Sequence, residues 1–207
     1  MLIPFLSATW SSAAQALGLG YLLGSIPFGL LFAYAFGEGD VRKVGSGNIG
    51  ATNVLRTGNR SAAALTLLFD AAKGAASVVI ARKFFGSDAA LIAALGAFLG
   101  HLYPVWLGFK GGKGVAVSLG ILFALYWPAA LLAAATWIAV AAIFRISSLS
   151  ALVAAVMAPL YLFFFNREHE AIVALVLALL ILVTHRENIG RLLRGQEPRI
   201  GAKIETQ

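Results

Sequence analysis

Residues 13–37 read AAQALGLGYLLGSIPFGLLFAYAFG and contain no charged side chain. An uncharged apolar run of this length exceeds the ~20 residues that an α-helix needs to cross a bilayer. Further apolar runs follow at residues 61–82, 88–107, 114–126, 128–144, 148–165 and 168–184. The sequence therefore predicts an all-α membrane protein, a bundle of seven transmembrane helices.

The composition supports the same interpretation. Of the 207 residues, 60% are hydrophobic and 12% are charged, whereas soluble domains are about 25% charged. We expect one integral membrane domain over residues 1–207, with no room for a separate soluble domain. The N-terminus lacks the positively charged segment of a secretory signal, so cleavage is not expected. The run at 114–126 is short and could form a partial span.

The basic residues predict the orientation in the membrane. If the loop after the first run is cytoplasmic, twelve of the 16 lysines and arginines fall on that side, three on the other, and Lys73 within a span. The positive-inside rule then places the N-terminus outside and the C-terminus in the cytoplasm, which requires an odd number of spans. The cytoplasmic set comprises Arg42, Lys43, Arg56, Arg60, Lys110, Lys113, Arg145, Arg186, Arg191, Arg194, Arg199 and Lys203, and the opposite set comprises Arg82, Lys83 and Arg167.

A glycine-rich polar stretch, GSGNIGATNVLR at residues 45–56, lies between the first two runs. Glycines allow backbone N–H groups to converge on an anion, and Arg56 adds a charged fork of donors. If a helix starts at Asn48, then Asn48, Thr52 and Arg56 share one face. The stretch predicts a phosphate site, and the alternative is a plain polar loop between membrane helices. Its neutral donors are Ser46, Asn48, Thr52 and Asn53.

A second polar stretch, HLYPVWLGFKGGKGVAVS at residues 101–118, contains two lysines separated by two glycines. Lys110 and Lys113 could surround a phosphate, but the stretch is not a nucleotide-binding P-loop, because Gly114 follows Lys113 where Ser or Thr is required. The alternative is a positive-inside loop.

Two further polar stretches follow, a weaker one, RISSLS at residues 145–150, and THRENIGRLLRGQEPRIG at residues 184–201. The serines could be helix caps. In the last stretch His185 and Asn188 share a face with Arg191 and Arg194, which alternatively fits an amphipathic helix on an anionic leaflet.

Asp70 and Lys73, three residues apart in the second run, are close enough to pair. Charged groups within a membrane are functional candidates, but a structural ion pair is an equal alternative.

The chain has no Cys and no cluster of carboxylates or histidines, so we expect no metal and no cofactor. No basic surface for nucleic acid is expected either. Several polar stretches on one side of the membrane suggest a site for more than one phosphate, with apolar walls for a hydrocarbon tail.

Three of these stretches, GSGNIGATNVLR, GHLYPVWLGFKGGKG and THRENIGRLLRGQEP, resemble in order and spacing the signature motifs of the bacterial acyl-phosphate-dependent glycerol-3-phosphate acyltransferases. The resemblance covers nearly the whole chain, and Ile49 departs from the Pro found in many members. It implies transfer of a fatty acyl group from acyl phosphate to the sn-1 hydroxyl of glycerol 3-phosphate. The products would be lysophosphatidic acid and phosphate, in the first step of phospholipid synthesis. It also implies seven spans in the bacterial inner membrane, a cytoplasmic site and possible transient contact with the soluble enzyme that makes acyl phosphate.

The resemblance also implies roles for individual residues. Catalytic roles are expected for Arg56, Lys113, His185 and Asn188, and substrate or phosphate binding for Ser46, Gly47, Asn48, Thr52, Asn53, Lys110, Gly111, Gly112, Ser150 and Glu197. Of these, Lys113, His185, Asn188 and Ser150 would hold glycerol 3-phosphate, and Glu197 would steady the last loop. The general base is either His185 or a substrate phosphate, and the latter is preferred because no carboxylate in the motifs is placed to orient His185.

A transporter of a phosphorylated solute is the main alternative function. It would place polar residues at mid-membrane depth, where only Asp70 and Lys73 lie here. A coenzyme A-dependent acyltransferase would have Asp five positions after a catalytic His, a spacing that His101, His169 and His185 all lack.

Overall fold

The computed structural model describes residues 9–201, so Lys203 of the predicted cytoplasmic set lies outside the described residues. This part of the chain is helical and contains no β-strand. The helices are α1 Trp10–Gly24, α2 Phe28–Ala35, α3 Ala51–Val54, α4 Arg60–Phe85, α5 Ser87–Leu102, α6 Val115–Phe144, α7 Ser147–Phe164, α8 Glu168–Thr184 and α9 Arg186–Leu193.

The chain divides into two compact units, Met1–Trp127 and Pro128–Gln207, which we call the N-terminal and the C-terminal unit. α6 passes through the boundary. The N-terminal unit contains α1 to α5 and the first part of α6, and the C-terminal unit contains the rest of α6 and α7 to α9.

Among the described residues, five helical segments are long and apolar enough to cross a membrane, and a sixth is counted if α8 and α9, bent by 64°, form one span. These segments agree with the predicted all-helical membrane class but do not confirm seven spans. The predicted runs at 114–126 and 128–144 both lie in α6, where only Tyr126 leaves helical geometry, with φ −157° and ψ 96°. Pro128 explains this break, because it lacks an N–H and disfavours helix in the residues before it.

The first and third predicted runs end or break earlier than expected. Residues 13–37 form two helices, α1 and α2, because Pro27 interrupts the backbone ladder between Gly24 and Phe28. The run at 88–107 is helical only to Leu102, and Pro104 precedes a short 3₁₀ turn at Val105–Leu107. The runs at 61–82, 148–165 and 168–184 match α4, α7 and α8 within three residues.

Glycines allow α1 and α5 to approach until their backbones touch. Each helix carries two glycines four residues apart, Gly20 and Gly24 on α1 and Gly96 and Gly100 on α5. A Cβ at any of them would lie 2.0–2.4 Å from a carbonyl oxygen of the other helix. This is the small-residue packing that joins membrane helices, where apolar side chains gain little from leaving lipid.

The same device joins α4 to the first part of α6. A Cβ at Gly74 would lie 2.6 Å from the carbonyl oxygen of Val117, and one at Gly120 would lie 1.8 Å from that of Ala71. The polar side chains of this part of α4, including Asp70 and Lys73, are consequently enclosed by protein.

In the C-terminal unit α7 and α8 form a hairpin. Small buried side chains recur along the facing surfaces of both helices, and the turn contains Asn166 with φ +56°. Asn tolerates this left-handed conformation better than most residues. The facing residues include Ala151, Ala154 and Ala158 on α7 and Ala171, Ala174 and Ala178 on α8.

The contact between α1 and α5 predicts a large difference between two glycine substitutions on α1. Gly24→Ala should destabilise the protein by about 1–3 kcal/mol, because the new methyl group would overlap the Ala97 carbonyl at 2.0 Å. Thermal melting in detergent should show this as roughly 2–4 °C per kcal/mol. The control is Gly18→Ala, since no atom lies within 4 Å of a Cβ at Gly18. Equal melting temperatures for the two variants would contradict the packing described.

Candidate functional site

The first polar loop, residues 45–56, is shaped by two glycines and a short helix. Gly45 and Gly47 have φ of +54° and +67°, which few other residues adopt. α3 begins at Ala51, so the condition under which Asn48, Thr52 and Arg56 would share one helix face is not met. Asn48 instead accepts a hydrogen bond from the Gly50 N–H at 2.7 Å, an Asx turn that precedes the helix.

Asn53 organises this loop from inside, with only 2% of its surface exposed. Its Nδ2 donates to the carbonyl oxygens of Val41, Val44 and Asn48 at 2.8, 3.1 and 2.7 Å. Val41 and Val44 lie on the segment that leads into the loop and Asn48 lies in the loop itself, so one side chain fixes the path of the backbone. The predicted contact of Asn53 with phosphate stays a prediction, while its support of the loop is visible.

The donors of the loop converge on the other end of the same amide. Asn53 Oδ1 accepts from the backbone N–H of Ser46 at 3.0 Å, from its hydroxyl at 3.2 Å and from Arg56 Nη1 at 3.3 Å. Arg56 also lies against Gly45, where a Cβ would come within 2.9 Å of Cδ. Ser46 and Thr52 are exposed and Arg56 is half-buried. The loop therefore holds hydroxyls and a guanidinium close together at its surface, an arrangement suited to an anion.

The second polar loop is bound to the end of α5. The N–H groups of Gly111 and Gly112 donate to the carbonyl oxygens of Leu102 and His101, each at 3.0 Å. At the end of the loop Gly114 has φ +88° and lies against the ring of Phe98. These contacts fix the backbone on both sides of Lys113, which is half-buried, whereas Lys110 is exposed.

The two loops of the N-terminal unit share one apolar support. Ile49 and Val54 of the first loop belong to a buried cluster with Leu30 of α2, and Leu107 of the second loop packs against that cluster. Next to it, a Cβ at Gly29 would lie 1.7 Å from the Ile49 carbonyl oxygen. The structure thus brings the first and second motifs together, both supported by the broken helix α1–α2.

In the C-terminal unit His185 ends α8 and is buried. Its Nδ1 lies 2.9 Å from the carbonyl oxygen of Ile181. Because a carbonyl can only accept, Nδ1 carries the hydrogen, and Nε2 is the acceptor nitrogen of the neutral ring. The Ile181 carbonyl oxygen thus favours this tautomer.

Glu197 links the segment after α9 to the start of α7. Its carboxylate accepts hydrogen bonds from the Ser148 hydroxyl at 2.7 Å, from the Asn188 amide and from Arg191 Nε at 2.7 Å. Burial alone would raise the pKa of Glu197, but the bonds from Asn188, Ser148 and Arg191 together outweigh burial and lower it. Glu197 thus holds α9 and α7 together as an ionised group.

The serine of RISSLS that joins this network is Ser148, which the sequence did not single out. Ser150, the predicted ligand, is fully buried, and its hydroxyl donates to the Ile146 carbonyl oxygen at 2.8 Å. Farther along, the Ile200 N–H donates to the Arg145 carbonyl oxygen at 2.6 Å and closes the segment over the start of α7. Only knowledge of the position of Glu197 distinguishes Ser148 from its neighbours.

Among residues 9–201 no group of three or more His, Asp or Glu side chains is placed to hold a metal ion. The chemistry that these groups can perform is the binding of anions and the transfer of a proton at His185.

Comparison with known proteins identifies the family. The family model for glycerol-3-phosphate acyltransferase matches residues 14–195. A glycerol-3-phosphate acyltransferase of Cereibacter sphaeroides is 60% identical over 185 residues, which cover 89% of this chain and 88% of the relative. Another, of Mesorhizobium japonicum, is 60% identical over 188 residues, covering 91% of this chain and 96% of the relative.

Two crystal structures of PlsY, an integral membrane glycerol 3-phosphate acyltransferase, have the same fold. The glycerol 3-phosphate form matches with a TM-score of 0.86 and 42% identity, and the lysophosphatidic acid form with 0.84 and 41%. Each match covers 92% of this chain and 96% of the other. The resemblance predicted from the motifs is confirmed: the chain is an all-helical membrane protein that belongs to the glycerol-3-phosphate acyltransferase family.

Proposed function

We propose that this chain transfers a fatty acyl group from acyl phosphate to the sn-1 hydroxyl of glycerol 3-phosphate. One observation carries the proposal: the two similar crystal structures are a glycerol 3-phosphate form and a lysophosphatidic acid form of an acyltransferase. These two compounds differ by one acyl group, so they are acceptor and product of a single transfer. The choice of acyl phosphate as donor rests on the three motifs.

The chemistry needs no covalent intermediate with the protein. The acceptor oxygen attacks the carbonyl carbon of the mixed anhydride, and the tetrahedral intermediate then expels inorganic phosphate as the bond between the carbonyl carbon and the bridging oxygen breaks. The hydroxyl proton passes to a base. The protein must hold the two anionic substrates in reacting position. It must also neutralise the negative charge that develops as the intermediate forms.

The N-terminal unit supplies cationic and neutral donors for phosphate. The guanidinium of Arg56 is fixed by Asn53 and Gly45, so it loses little side-chain entropy on binding. Lys113 follows a backbone that is bonded to the end of α5. The proposed binding groups of this unit are Ser46, Gly47, Asn48, Thr52, Asn53, Arg56, Lys110, Gly111, Gly112 and Lys113.

The C-terminal unit supplies His185 and Asn188 for glycerol 3-phosphate, with Ser150 in the predicted set and Glu197 as support. Nε2 of His185 suits acceptance of a hydrogen bond from the glycerol hydroxyl. A backbone carbonyl orients the ring but stabilises an imidazolium less than a carboxylate would. This favours a substrate phosphate as the base, with His185 holding the acceptor.

The proposal includes the membrane arrangement: one functional domain over residues 1–207, seven spans, an outer N-terminus and a site facing the cytoplasm of a bacterial inner membrane. Counting α6 as two spans divided at Tyr126, and α8 as one, gives seven. The excess of basic residues on one side supports the orientation. Transient contact with the soluble enzyme that makes acyl phosphate would suit a donor that hydrolyses readily.

The proposal predicts product from acyl phosphate alone. Purified protein in lipid, with synthetic acyl phosphate, glycerol 3-phosphate and a chelator, should release phosphate and lysophosphatidic acid in equal amounts, and acyl coenzyme A should give none. Lys113→Ala should reduce transfer by about 100-fold or more, since a charge-assisted contact is lost. The control is Lys83→Ala, a lysine in the last turn of α4 that has no part in the proposed site. Folded protein that makes no product with either donor would favour the transporter alternative, to be tested by uptake into proteoliposomes.

His185→Ala should raise the KM for glycerol 3-phosphate about 5- to 100-fold, the effect of losing one or two hydrogen bonds to the acceptor. Initial rates at saturating acyl phosphate give KM and kcat separately. His169→Ala, at the opposite end of α8, is the matched control. An unchanged KM with loss of kcat alone would instead make His185 the general base.

Stability should depend on the ionisation of Glu197. Its pKa in the folded protein lies below the usual value near 4.5, so its stabilisation is complete above that value and is lost as pH falls through the folded pKa. Melting temperatures of wild type and Glu197→Gln should therefore differ by a nearly constant amount from pH 8 to 5, and the difference should shrink as pH falls below 4.5 towards the folded pKa. The control is Glu187→Gln on the exposed side of α9. A difference that persists unchanged to pH 3 would contradict an ionised network.

A further inference from the structure

Three polar side chains of the N-terminal unit are buried and have no part in the proposed chemistry. They are Asp70 and Lys73 of α4 and His101 of α5, with 2%, 5% and 3% of their surfaces exposed. Asp70 lies roughly 15 Å along α4 from Arg60, at 1.5 Å per residue. Charged groups at such a position are rare in membrane proteins and usually have a function. We call these residues the buried triad.

Lys73 anchors the triad to the break between α1 and α2. Its Nζ lies 2.7 Å from Asp70 Oδ1 and donates to the Ile26 carbonyl oxygen, also at 2.7 Å. The same ammonium lies 5.7 Å from the centre of the Phe28 ring. Lys73 thus fixes the Asp70 carboxylate relative to the two ends of the broken helix.

Asp70 in turn faces His101. The same oxygen, Oδ1, lies 3.7 Å from His101 Nδ1. At this distance the contact is an electrostatic one and not a hydrogen bond, and the nearby carboxylate favours the tautomer with hydrogen on Nδ1. The other ring nitrogen, Nε2, is consequently directed away from α4.

Nε2 points at the second polar loop. A Cβ at Gly112 would lie 2.0 Å from Nε2 and 2.6 Å from Cε1, so the edge of the ring rests on the Gly112 backbone. The Gly112 N–H also donates to the carbonyl oxygen of His101 itself. His101 therefore holds the residue before Lys113 through both its side chain and its backbone.

We propose that the buried triad positions Lys113. Lys73 fixes Asp70, Asp70 orients the His101 ring, and the ring sets the place of the Gly112 backbone from which Lys113 extends. The three are positioning residues that act through the loop and touch no substrate. The inference rests on the proposed function in one respect, namely that Lys113 binds the phosphate of the acceptor.

A contribution to folding stability is a weak explanation for a buried group of charged side chains. Replacing a buried ion pair by apolar side chains of similar volume is often neutral or stabilising, because two charges need not be desolvated. An effect on substrate affinity without a loss of folding would therefore separate positioning from a structural role.

The test uses two variants and a matched control in the full-length protein. Asp70→Leu with Lys73→Met removes both charges and keeps the volume, and His101→Phe keeps the ring but removes its nitrogens. Each should raise the KM for glycerol 3-phosphate about 5- to 20-fold and change kcat less than threefold. Ser77→Ala should leave KM within twofold, since Ser77 is equally buried and its hydroxyl donates only to the Lys73 carbonyl oxygen.

Combining the variants tests whether the residues act in series. If Asp70 acts through His101, the triple variant should have the same KM as His101→Phe alone, whereas independent effects would multiply. Multiplying effects would overturn the proposed order. Wild-type KM in a folded His101→Phe variant would overturn the proposal as a whole.

Amide hydrogen exchange gives a readout that does not depend on activity. The backbone N–H groups of Gly111 and Gly112 should exchange at least fivefold faster in His101→Phe and in the Asp70→Leu, Lys73→Met variant than in Ser77→Ala, while α4 stays protected. Unchanged protection in both variants would refute the positioning role. If wild type makes no lysophosphatidic acid, the proposed function fails, and the exchange comparison still decides whether the triad holds the loop.

Discussion

Backbone groups within a bilayer must find hydrogen-bond partners inside the protein, and the rest of this structure depends on that constraint. It requires helices wherever the chain crosses hydrocarbon, so each break needs a specific remedy. At Pro27 the remedy is Lys73, whose ammonium donates to the Ile26 carbonyl oxygen. A charge brought into the membrane for this purpose needs a counter-charge, which Asp70 provides at 2.7 Å. The break in the helix is thus the place where the two buried charges are anchored.

Close helix packing determines where the loops can be held. Because Gly96 and Gly100 let α5 lie directly on α1, the end of α5 comes beside the broken segment. Trp106, just after α5, donates to the Ser25 hydroxyl at 2.8 Å, and Tyr21 donates to the Tyr103 carbonyl oxygen at 2.7 Å. The small residues Gly96 and Gly100 within α5 therefore bring large side chains beyond its end, such as that of Trp106, into contact with α1 and the segment after it.

The sequence predicted the helices well where long apolar runs are uninterrupted, as in α4, α7 and α8. The predicted helices were too long at Pro27 and Pro104. An apolar run reflects hydropathy alone and does not show where a proline removes a backbone hydrogen-bond donor. The motif residues were predicted as a set, but their division of tasks was not. Asn53 and Ser46 are both polar residues of the same short motif. Only the folded loop shows that the Asn53 amide lies inside it.

The distinction between Ser148 and Ser150 has the same origin. Both lie in the first turn of α7, and which of them meets a partner depends on Glu197, far along the sequence. Local pattern can predict a cap but not a contact across such a separation. Long-range polar contacts are therefore the part of the site that a single sequence, taken alone, leaves undetermined.

The division of tasks explains why the motifs contain more polar residues than the two phosphates of the proposed reaction would require. Asn53 and Glu197 each satisfy several partners within their own unit, and both hold segments that carry candidate ligands, Arg56 in one case and Asn188 in the other. Exposed loops on a membrane surface have little apolar area to bury, so hydrophobic packing alone cannot fix them. A buried amide or carboxylate with three or more partners supplies the rigidity instead. The proposed reaction, in which two anions are bound, demands that rigidity, because each cation must stay in place while the neighbouring charge changes during acyl transfer.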